Sequence, residues 1–385
     1  MSKITNYVYN IGVYDREIDL FEGQYPVKNG IKYNSYLIED EKICILDTVD
    51  NLFVAEWMNN IKQVLNGKVP NYLVIHHVEP DHSSGILELI KTYPSIHIVG
   101  NIKTFSMIEQ FYNIHIENKL VVKENDVLNL GYHQLKFIFA PMVHWPEVMM
   151  SIETTENILF SADAFGKFEN NQPDESWNQQ ARRYYYGIVG KFGPQVQAVL
   201  KKVQNYQIDK IFSLHGEPLT SDIGTYVNFY QLWSTYSYEN DGILIAYNSI
   251  YGNTKKAVET LVDQIKKVSN VDIETYDLAR SDVTEVVGKA FYYKNLLLAS
   301  PTYNCALFPF MDSFINHLLE RNYQNRRIGI IDNGSWGPMS EKIIKDKFSN
   351  SKNITFLEPV VKIKSSLKEE NMSEMSKLIN ALLDQ

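Results

Sequence analysis

The pattern of apolar residues changes near residue 240, and this change constrains the fold more than any other feature of the chain. From there on, short apolar runs alternate with polar loops and amphipathic helices, as in "DGILIAYNSIYGNTKKAVETLVDQIKKV". In that helix, Val258, Leu261, Ile265 and Val268 recur at helical spacing. The segments "NLLLASPTYN" and "RRIGIIDNGSWGPMSEKIIKDKF" repeat the order of strand, loop and helix. Such alternation predicts a parallel sheet with right-handed crossovers.

The chain before residue 240 has a different pattern and different chemistry. It combines short strands and hairpins with a few helices, and it holds eight of the nine histidines. At 385 residues the chain also exceeds the usual size of a single hydrophobic core. We therefore predict two domains, residues 1–240 and 241–385, with the boundary in "STYSYEND".

Composition argues against several classes of protein. The formal net charge is -9, from 37 basic and 46 acidic residues, whereas a nucleic-acid binder needs a basic surface. The first residues lack the apolar core of a signal peptide, and no apolar run is long enough to span a bilayer. The two cysteines, Cys44 and Cys305, are far apart and suggest neither a disulfide framework nor a thiolate metal site. We expect a soluble, cytoplasmic protein.

The stretch "LVIHHVEPDHSSG", residues 73–85, places ionisable side chains directly after a buried strand. If the chain stays extended, His77, Glu79 and Asp81 share one face, and His82 follows where a helix begins near Ser84. Burying these groups without partners would be unfavourable, which favours a metal site. His76 would lie on the opposite face, so we expect it to support the site or the fold rather than to bind metal.

Three more segments offer a histidine or an aspartate after an apolar run. They are "APMVHWPE" with His144, "LFSADAFG" with Asp163, and "IFSLHGEP" with His215. The combined donor set contains no thiolate, which favours iron, manganese or zinc over copper(I) or an iron-sulfur cluster. Asp163 has two oxygens and is the natural bridge between two ions.

A phosphate site is predicted in the second part of the chain. The loop in "YNSIYGNT" offers hydroxyls and backbone amides between a strand and a helix, which suits a phosphate monoester without basic side chains. Two further loops should open on the same edge of a doubly wound sheet, with Tyr303 and Trp336 placed to contact a flat ring. The predicted cofactor contacts are Ser249, Ile250, Tyr251, Gly252, Asn253, Thr254, Ser300, Pro301, Thr302, Tyr303, Asn304, Asn333, Gly334, Ser335, Trp336 and Gly337.

Taken together, these motifs resemble those of the flavodiiron proteins. "HVEPDH" matches the HxExDH form of the metallo-β-lactamase-like fold, with 61 residues between His82 and His144 and 18 between His144 and Asp163. Hydrolases of that fold usually have histidine at the position of Glu79, so the glutamate favours a diiron redox site. Residues 241–385 resemble flavodoxin, whose ligand is FMN. The resemblance implies an α/β chain: an N-terminal metallo-β-lactamase-like αββα sandwich followed by a flavodoxin-like doubly wound parallel sheet.

The resemblance also implies a function, that of a minimal, A-type flavodiiron reductase of dioxygen, nitric oxide or both. One iron would be held by His77, Glu79 and His144, and the other by Asp81, His82 and His215. Asp163 would bridge this oxo- or hydroxo-bridged pair. Electrons would come from rubredoxin or another soluble donor, in a head-to-tail homodimer or a dimer of dimers. The aromatic pocket neighbours would be Trp145, Phe165, Tyr184 and Tyr185.

Two other functions fit the same motifs. A dizinc hydrolase fused to a flavodoxin would use the same fold, and an electron carrier could retain the first domain only as structure. The motif spacing does not decide between dioxygen and nitric oxide.

Overall fold

A computed structural model describes residues 1–384 of the chain. Tertiary contacts divide it into a first unit, Met1–Ser234, and a second unit that begins at Thr235. None of the helices in the described residues combines the length and the hydropathy that crossing a membrane requires.

The first unit consists mainly of short strands. Its strands are β1 (Ser2–Lys3), β2 (Val8–Asn10), β3 (Val13–Asp15), β4 (Leu20–Phe21), β5 (Tyr25–Pro26), β6 (Ile31–Tyr33), β7 (Tyr36–Ile38), β8 (Cys44–Leu46), β9 (Tyr72–Val74), β10 (His97–Gly100), β11 (Lys119–Val121), β12 (Val127–Asn129), β13 (Gln134–Phe139), β14 (Met149–Glu153), β15 (Ile158–Phe160) and β16 (Lys210–Phe212). Its helices are α1 (Val54–Leu65), α2 (Pro80–Ser83), α3 (Ile86–Thr92), α4 (Ile102–Tyr112), α5 (Trp177–Tyr184), α6 (Gly193–Val203) and α7 (Ile223–Ser234).

Two sheets face each other in this unit. The first has the strand order β1-β2-β7-β8-β9-β10-β11 and the second the order β12-β13-β14-β15-β16. Side chains alternate along the strands: Leu37 and Leu73 pack under the helices of the first sheet, whereas Ile38 and Val74 pack against the second sheet. Helix α6 packs on β13 of the second sheet. The predicted αββα sandwich is confirmed.

The second unit alternates strands with helices. Its strands are β17 (Asn240–Tyr247), β18 (Ile273–Asp277), β19 (Tyr293–Tyr303), β20 (Ala306–Leu307), β21 (Arg326–Asn333), β22 (Ile354–Phe356) and β23 (Val361–Ile363). Its helices are α8 (Asn253–Val268), α9 (Val283–Tyr292), α10 (Pro309–Glu320), α11 (Ser340–Lys347) and α12 (Met372–Leu383).

A parallel sheet of order β18-β17-β19-β21-β22 forms the centre of the second unit. Leu261 and Ile265 of α8 pack on one face of it, as their spacing predicts. Val268, the last residue of α8, does not pack there, since it is 71% exposed. The flavodoxin-like doubly wound sheet is confirmed.

Candidate metal centre

Seven polar side chains meet where strands of the two sheets of the first unit end. Four of them follow β9 in the first sheet. The other three come from the loop after β13 and from the segments after β15 and β16, strands that run in the same direction in the second sheet. Their carboxyl ends therefore lie at one edge. The seven residues are His77, Glu79, Asp81, His82, His144, Asp163 and His215.

These side chains form two groups, each compact enough for one ion. The potential ligand atoms of His77, Glu79, His144 and Asp163 all lie within 4.8 Å of one another. The same limit holds for Asp81, His82 and His215. Each group mixes imidazole nitrogens with carboxylate oxygens, and neither contains sulfur.

Asp163 lies between the groups and presents one oxygen to each. Its Oδ2 is 3.1 Å from His144 Nε2 and 3.6 Å from His77 Nε2. Its Oδ1 is 3.3 Å from His82 Nε2 and 3.6 Å from His215 Nε2. The carboxylate is therefore placed to bridge two ions.

The spacing of the imidazole nitrogens fits shared metal ions. His77 Nε2 lies 3.3 Å from His144 Nε2, and His82 Nε2 lies 3.0 Å from His215 Nε2. Two nitrogens that bind one ion at about 2.1 Å are separated by about 3.0–3.4 Å at common bond angles. In addition, among residues 1–384, Asp81 Oδ1, Asp81 Oδ2 and Asp163 Oδ1 are buried without a hydrogen-bond partner. Buried carboxylate oxygens of this kind need a cation, which either a charged imidazole such as that of His82 or a bound metal ion supplies.

The ligand side chains shift one another's pKa values because they lie in contact. Burial favours neutral His82, but Asp81 and Asp163 outweigh it and raise the pKa of His82 to about 10. Burial likewise opposes charge on His144, yet hydrogen bonds with Asp163 and Glu79 raise its pKa to about 9. Against its own burial, the pKa of Asp163 is held well below its ordinary value by His82 and His144. Without a metal, His82 and His144 are therefore charged at neutral pH.

The far sides of two imidazole rings are fixed by other groups. Glu147 Oε1 lies 2.8 Å from His77 Nδ1 and also accepts from the backbone amide of Val78 at 3.0 Å. The Lys32 carbonyl accepts from His215 Nδ1 at 2.8 Å. Both contacts turn the ring so that Nε2 points into the cluster, as outer partners of metal-binding histidines do. Glu147 is a residue of the site that no sequence pattern predicts, although it stands in "HWPE" just after His144.

The extended conformation expected through Asp81 is wrong. Strand β9 ends at Val74, and Pro80 begins the short helix α2, which contains both Asp81 and His82. Glu79, with φ -52° and ψ 140°, does keep the extended geometry that a following proline favours. The helical turn directs Asp81 towards His82 and away from Glu79, so the two carboxylates serve different groups.

Two of the four expected aromatic neighbours contact the cluster. The ring of Trp145 lies 5.1 Å from that of His77, and Tyr184 lies 5.5 Å from His215. Phe165 instead stacks on Tyr230 at 4.0 Å, and Tyr185 packs on Tyr230 at 5.1 Å. These last two belong to the aromatic core beneath α7.

The second unit contains a cavity of about 600 Å³ at the carboxyl edge of its sheet, within the usual size of a cofactor site. Its lining includes all the predicted contacts except Gly252 and Ser300, and adds Cys305 and Ser365. Ser300 is buried, with its hydroxyl turned to the Pro301 carbonyl. Within the lining, Asn333 donates to the Thr254 hydroxyl at 3.2 Å, which joins two of the predicted loops.

The first loop of this cavity leads into a helix. Gly252 has φ +88°, a conformation that favours glycine, and α8 begins at the next residue. The start of α8, with Asn253 and Thr254, therefore borders the cavity, and the Lys255 amide donates to the Ser249 hydroxyl at 3.2 Å. Backbone amides at the start of a helix bind phosphate without a basic side chain.

Comparison with known proteins shows similarity over nearly the whole chain. The family model described as "ODP family beta lactamase" matches residues 31–216. The chain is 30% identical over 345 residues to the anaerobic nitric oxide reductase flavorubredoxin of Salmonella paratyphi A, covering 86% of this chain and 72% of that protein. The corresponding protein of Aeromonas hydrophila is also 30% identical, with 86% and 70% covered.

Solved structures show the same fold at lower sequence identity. The rubredoxin oxygen:oxidoreductase of Desulfovibrio gigas superposes with a TM-score of 0.91 at 22% identity, covering 99% of this chain and 97% of that one. The flavodiiron protein of Giardia intestinalis gives a TM-score of 0.86 at 23% identity, with 99% and 97% covered.

Proposed function

Because this chain belongs to the flavodiiron proteins, we propose that it is a terminal reductase that uses FMN and two irons to reduce dioxygen to water, nitric oxide to nitrous oxide, or both. The position of Asp163, with one oxygen facing each ligand group, carries this proposal. A carboxylate bridge between two ions suits the joint reduction of a small diatomic molecule. When bound, FMN would supply one- or two-electron transfer, and the iron pair would supply the redox chemistry for reducing the gas.

The ligand assignment follows the two groups. His77, Glu79 and His144 would hold one iron, and Asp81, His82 and His215 the other. Asp163 would serve both. All the donors in this set are nitrogen or oxygen atoms, which suits iron. Glu147 fixes the orientation of the His77 ring, and the Lys32 carbonyl fixes that of the His215 ring, so both rings are oriented for binding.

Aromatic and apolar side chains limit the access of water to the cluster. The rings of Trp145 and Tyr184 border it on two sides, and Tyr184 is fully buried. The Tyr184 hydroxyl has no hydrogen-bond partner among residues 1–384. Burial raises the pKa of Tyr184, and the negative charges of Asp163 and Asp81 raise it further. Because the raised pKa keeps the phenol protonated, it would be able to donate a hydrogen bond to a molecule bound in the site.

The second unit would bind FMN. Amides at the start of α8 and the Thr254 hydroxyl would hold the phosphate, and the loops around Tyr303 and Trp336 would hold the ring. The cavity itself supports this assignment, since all three loops line it.

We propose a head-to-tail homodimer, alone or paired into a tetramer. Trp336 and Tyr251, at the rim of the flavin cavity, are 95% and 90% exposed, which is unusual for large apolar side chains. In the first unit, Phe111 is 45% exposed and stacks on Trp145 beside the ligands. In a head-to-tail pair, each of these surfaces would be covered by the other subunit.

A mixed dimer tests this arrangement. One subunit carries Asp163→Ala, which removes the bridging ligand, and the other Asn253→Asp, which adds a negative charge where the phosphate would lie. If the flavin of one subunit serves the irons of the other, the mixed dimer recovers up to half of the wild-type turnover. A mixed dimer as inactive as the two parent dimers contradicts the arrangement.

The electron donor would be rubredoxin or another soluble electron carrier, in the cytoplasm. Both cysteines are free thiols, which fits a reducing compartment. The named relatives support the donor: one is a flavorubredoxin and another a rubredoxin oxygen:oxidoreductase. Titration of the oxidised chain with reduced rubredoxin, followed by flavin absorbance, tests this proposal.

Anaerobic stopped-flow tests the reductase function. The iron-loaded, fully reduced protein is mixed with dioxygen or with nitric oxide, and flavin reoxidation and product are recorded. Loss of an outer-sphere partner lowers activity by up to about 100-fold. Asp163 would bind both irons directly, so Asp163→Ala should slow flavin reoxidation by at least about that factor. Asp209→Ala, an exposed aspartate of the same unit, is the matched control.

The rival functions give other results. An electron carrier predicts that Asp163→Ala leaves reoxidation unchanged, with peroxide as the product of dioxygen. A dizinc hydrolase predicts two zincs and no iron per chain in protein produced without added zinc.

A further inference from the structure

Asp47, His76 and Ser151 form a buried chain of hydrogen bonds that the proposed mechanism does not use. His76 Nδ1 lies 2.6 Å from Asp47 Oδ2, and His76 Nε2 lies 2.8 Å from the Ser151 hydroxyl. All three side chains are almost completely buried. Both ring nitrogens of His76 are therefore occupied by protein groups, and neither is free to bind a metal. Because no solvent reaches Ser151, the trio does not form a hydrolytic site either.

This chain of hydrogen bonds connects the two sheets of the first unit. Asp47 follows β8 and His76 follows β9, both in the first sheet, whereas Ser151 lies in β14 of the second sheet. The backbone adds a parallel connection, because the Met149 amide donates to the His76 carbonyl at 3.0 Å. The surrounding layer, which includes Val74, is apolar, and apolar packing has no directional preference.

The candidate ligands are divided between the same two sheets. His77, Glu79, Asp81 and His82 follow β9, whereas His144, Asp163 and His215 follow strands of the second sheet. Both ligand groups contain members from each side. The separation and register of the sheets therefore set the distance between ligands of one ion.

Asp47 also holds the backbone of the first ligand. Its Oδ1 accepts from the amide of His76 at 2.7 Å and from that of His77 at 3.3 Å. Asp47 has φ +56°, an uncommon conformation for this residue, and its own carbonyl accepts from the Ser35 hydroxyl at 2.9 Å. The same carboxylate holds the His76 ring through Nδ1, and Ser151 holds the ring through Nε2.

We propose that His76 is a positioning residue: through Asp47 and Ser151 it fixes His77 relative to the ligands from the second sheet, and so sets the geometry of the metal pair. This inference rests on the two-metal site of the proposed function. It assigns His76 to neither ligand group, and it gives Ser151 of β14, which also belongs to neither group, an effect on metal binding.

Two substitutions cut the chain of hydrogen bonds at different points. Ser151→Ala removes only the hydroxyl, and His76→Asn removes the ring. The matched control is His133→Asn, because His133 is equally buried in the same unit and pairs with Asp40 at 2.8 Å. His133 has no contact with the seven ligand residues in the described part of the chain.

The readouts are Co²⁺ affinity, measured on the full-length chain by competition with a chelator, and the visible absorption bands of bound Co²⁺, which report coordination geometry. Circular dichroism and thermal unfolding measure stability separately. We expect Ser151→Ala and His76→Asn to weaken Co²⁺ binding about 10- to 100-fold and to change the absorption bands. His133→Asn should lower stability, but it should leave Co²⁺ affinity within about twofold of wild type and the absorption bands unchanged. The reason is that His133 is neither a ligand nor an outer partner of a ligand.

The opposite results overturn the inference. If Ser151→Ala binds Co²⁺ with wild-type affinity and wild-type bands, the chain of hydrogen bonds does not position the ligands. The same holds if His133→Asn weakens binding as much as His76→Asn does, because the effect is then one of general stability. Ser151→Ala decides the matter even if His76→Asn fails to fold. A wild-type chain that binds no Co²⁺ instead refutes the proposed function, and this inference with it.

Discussion

Metal uptake by the first unit should release about three protons at pH 7. The pKa of each of His77, His82 and His144 is raised, to about 10 for His82 and about 9 for His144, so all three are charged before metal binds. A metal ligand must be a neutral imidazole, and each of these rings therefore loses one proton. The carboxylates add none, because the pKa values of Glu79, Asp81 and Asp163 are lowered and these groups are already ionised.

The sign of the pH dependence follows from these shifts. Below the raised pKa values protons compete with the metal, and above them the competition ends. The product of the two binding constants should therefore rise about 1,000-fold per pH unit near pH 7, one factor of ten for each proton. The rise should become shallower as pH passes about 9 and then about 10.

Calorimetry measures the proton release directly. Fe²⁺ is titrated anaerobically into the metal-free chain in buffers of different ionisation enthalpy, and the slope of the observed enthalpy against that quantity gives the number of protons. His82→Gln should reduce the number by about one. Release of less than one proton at pH 7, or an affinity that does not vary between about pH 6 and 9, refutes the reasoning.

Three further substitutions have defined outcomes. Glu147→Gln keeps the shape of the side chain that contacts His77 Nδ1 but removes its negative charge, so Fe²⁺ affinity should fall about 10-fold. Chelator competition measures this affinity, and an unchanged value contradicts the prediction. Gly252→Ala forces a side chain into φ +88° at a cost of about 1 kcal/mol, so FMN should bind about fivefold more weakly in a fluorescence titration, with iron content unchanged. Glu274 pairs with Lys289 at 2.6 Å, and its pKa is lowered although burial opposes this. Glu274→Gln should therefore destabilise the chain by about 0.5 kcal/mol at pH 7, after screening, and the difference in urea unfolding should vanish as pH falls through the lowered pKa.

The elements that carry the site could be predicted where the signal was local. Apolar runs in the sequence predict strands β9, β13, β15 and β16. Residues that directly follow a strand lie at the edge of the sheet, which is where the ligand residues were expected. The loop with Gly252 was visible for the same reason, since a strand, a glycine and a helix follow each other directly in the sequence. Helical spacing also identified the buried face of α8, apart from its last residue.

The remaining features depend on tertiary contacts or on competing local signals. Proline favours extended geometry in the residue before it, as at Glu79, but it also suits the first turn of a helix, and that second effect of Pro80 reoriented Asp81. Glu147 lies 70 residues from His77, and Ser151 lies 75 residues from His76. No periodicity joins residues so far apart, so their partnership appears only when the two sheets are packed together.

Iron anomalous diffraction tests the central claim most directly. Crystals of the iron-loaded chain are measured on both sides of the iron absorption edge. Two anomalous peaks should appear, one among His77, Glu79 and His144 and the other among Asp81, His82 and His215, with the Asp163 carboxylate between them. A single peak, or iron found elsewhere while these side chains keep their hydrogen bonds to one another, would contradict the assignment of this cluster as a two-iron centre.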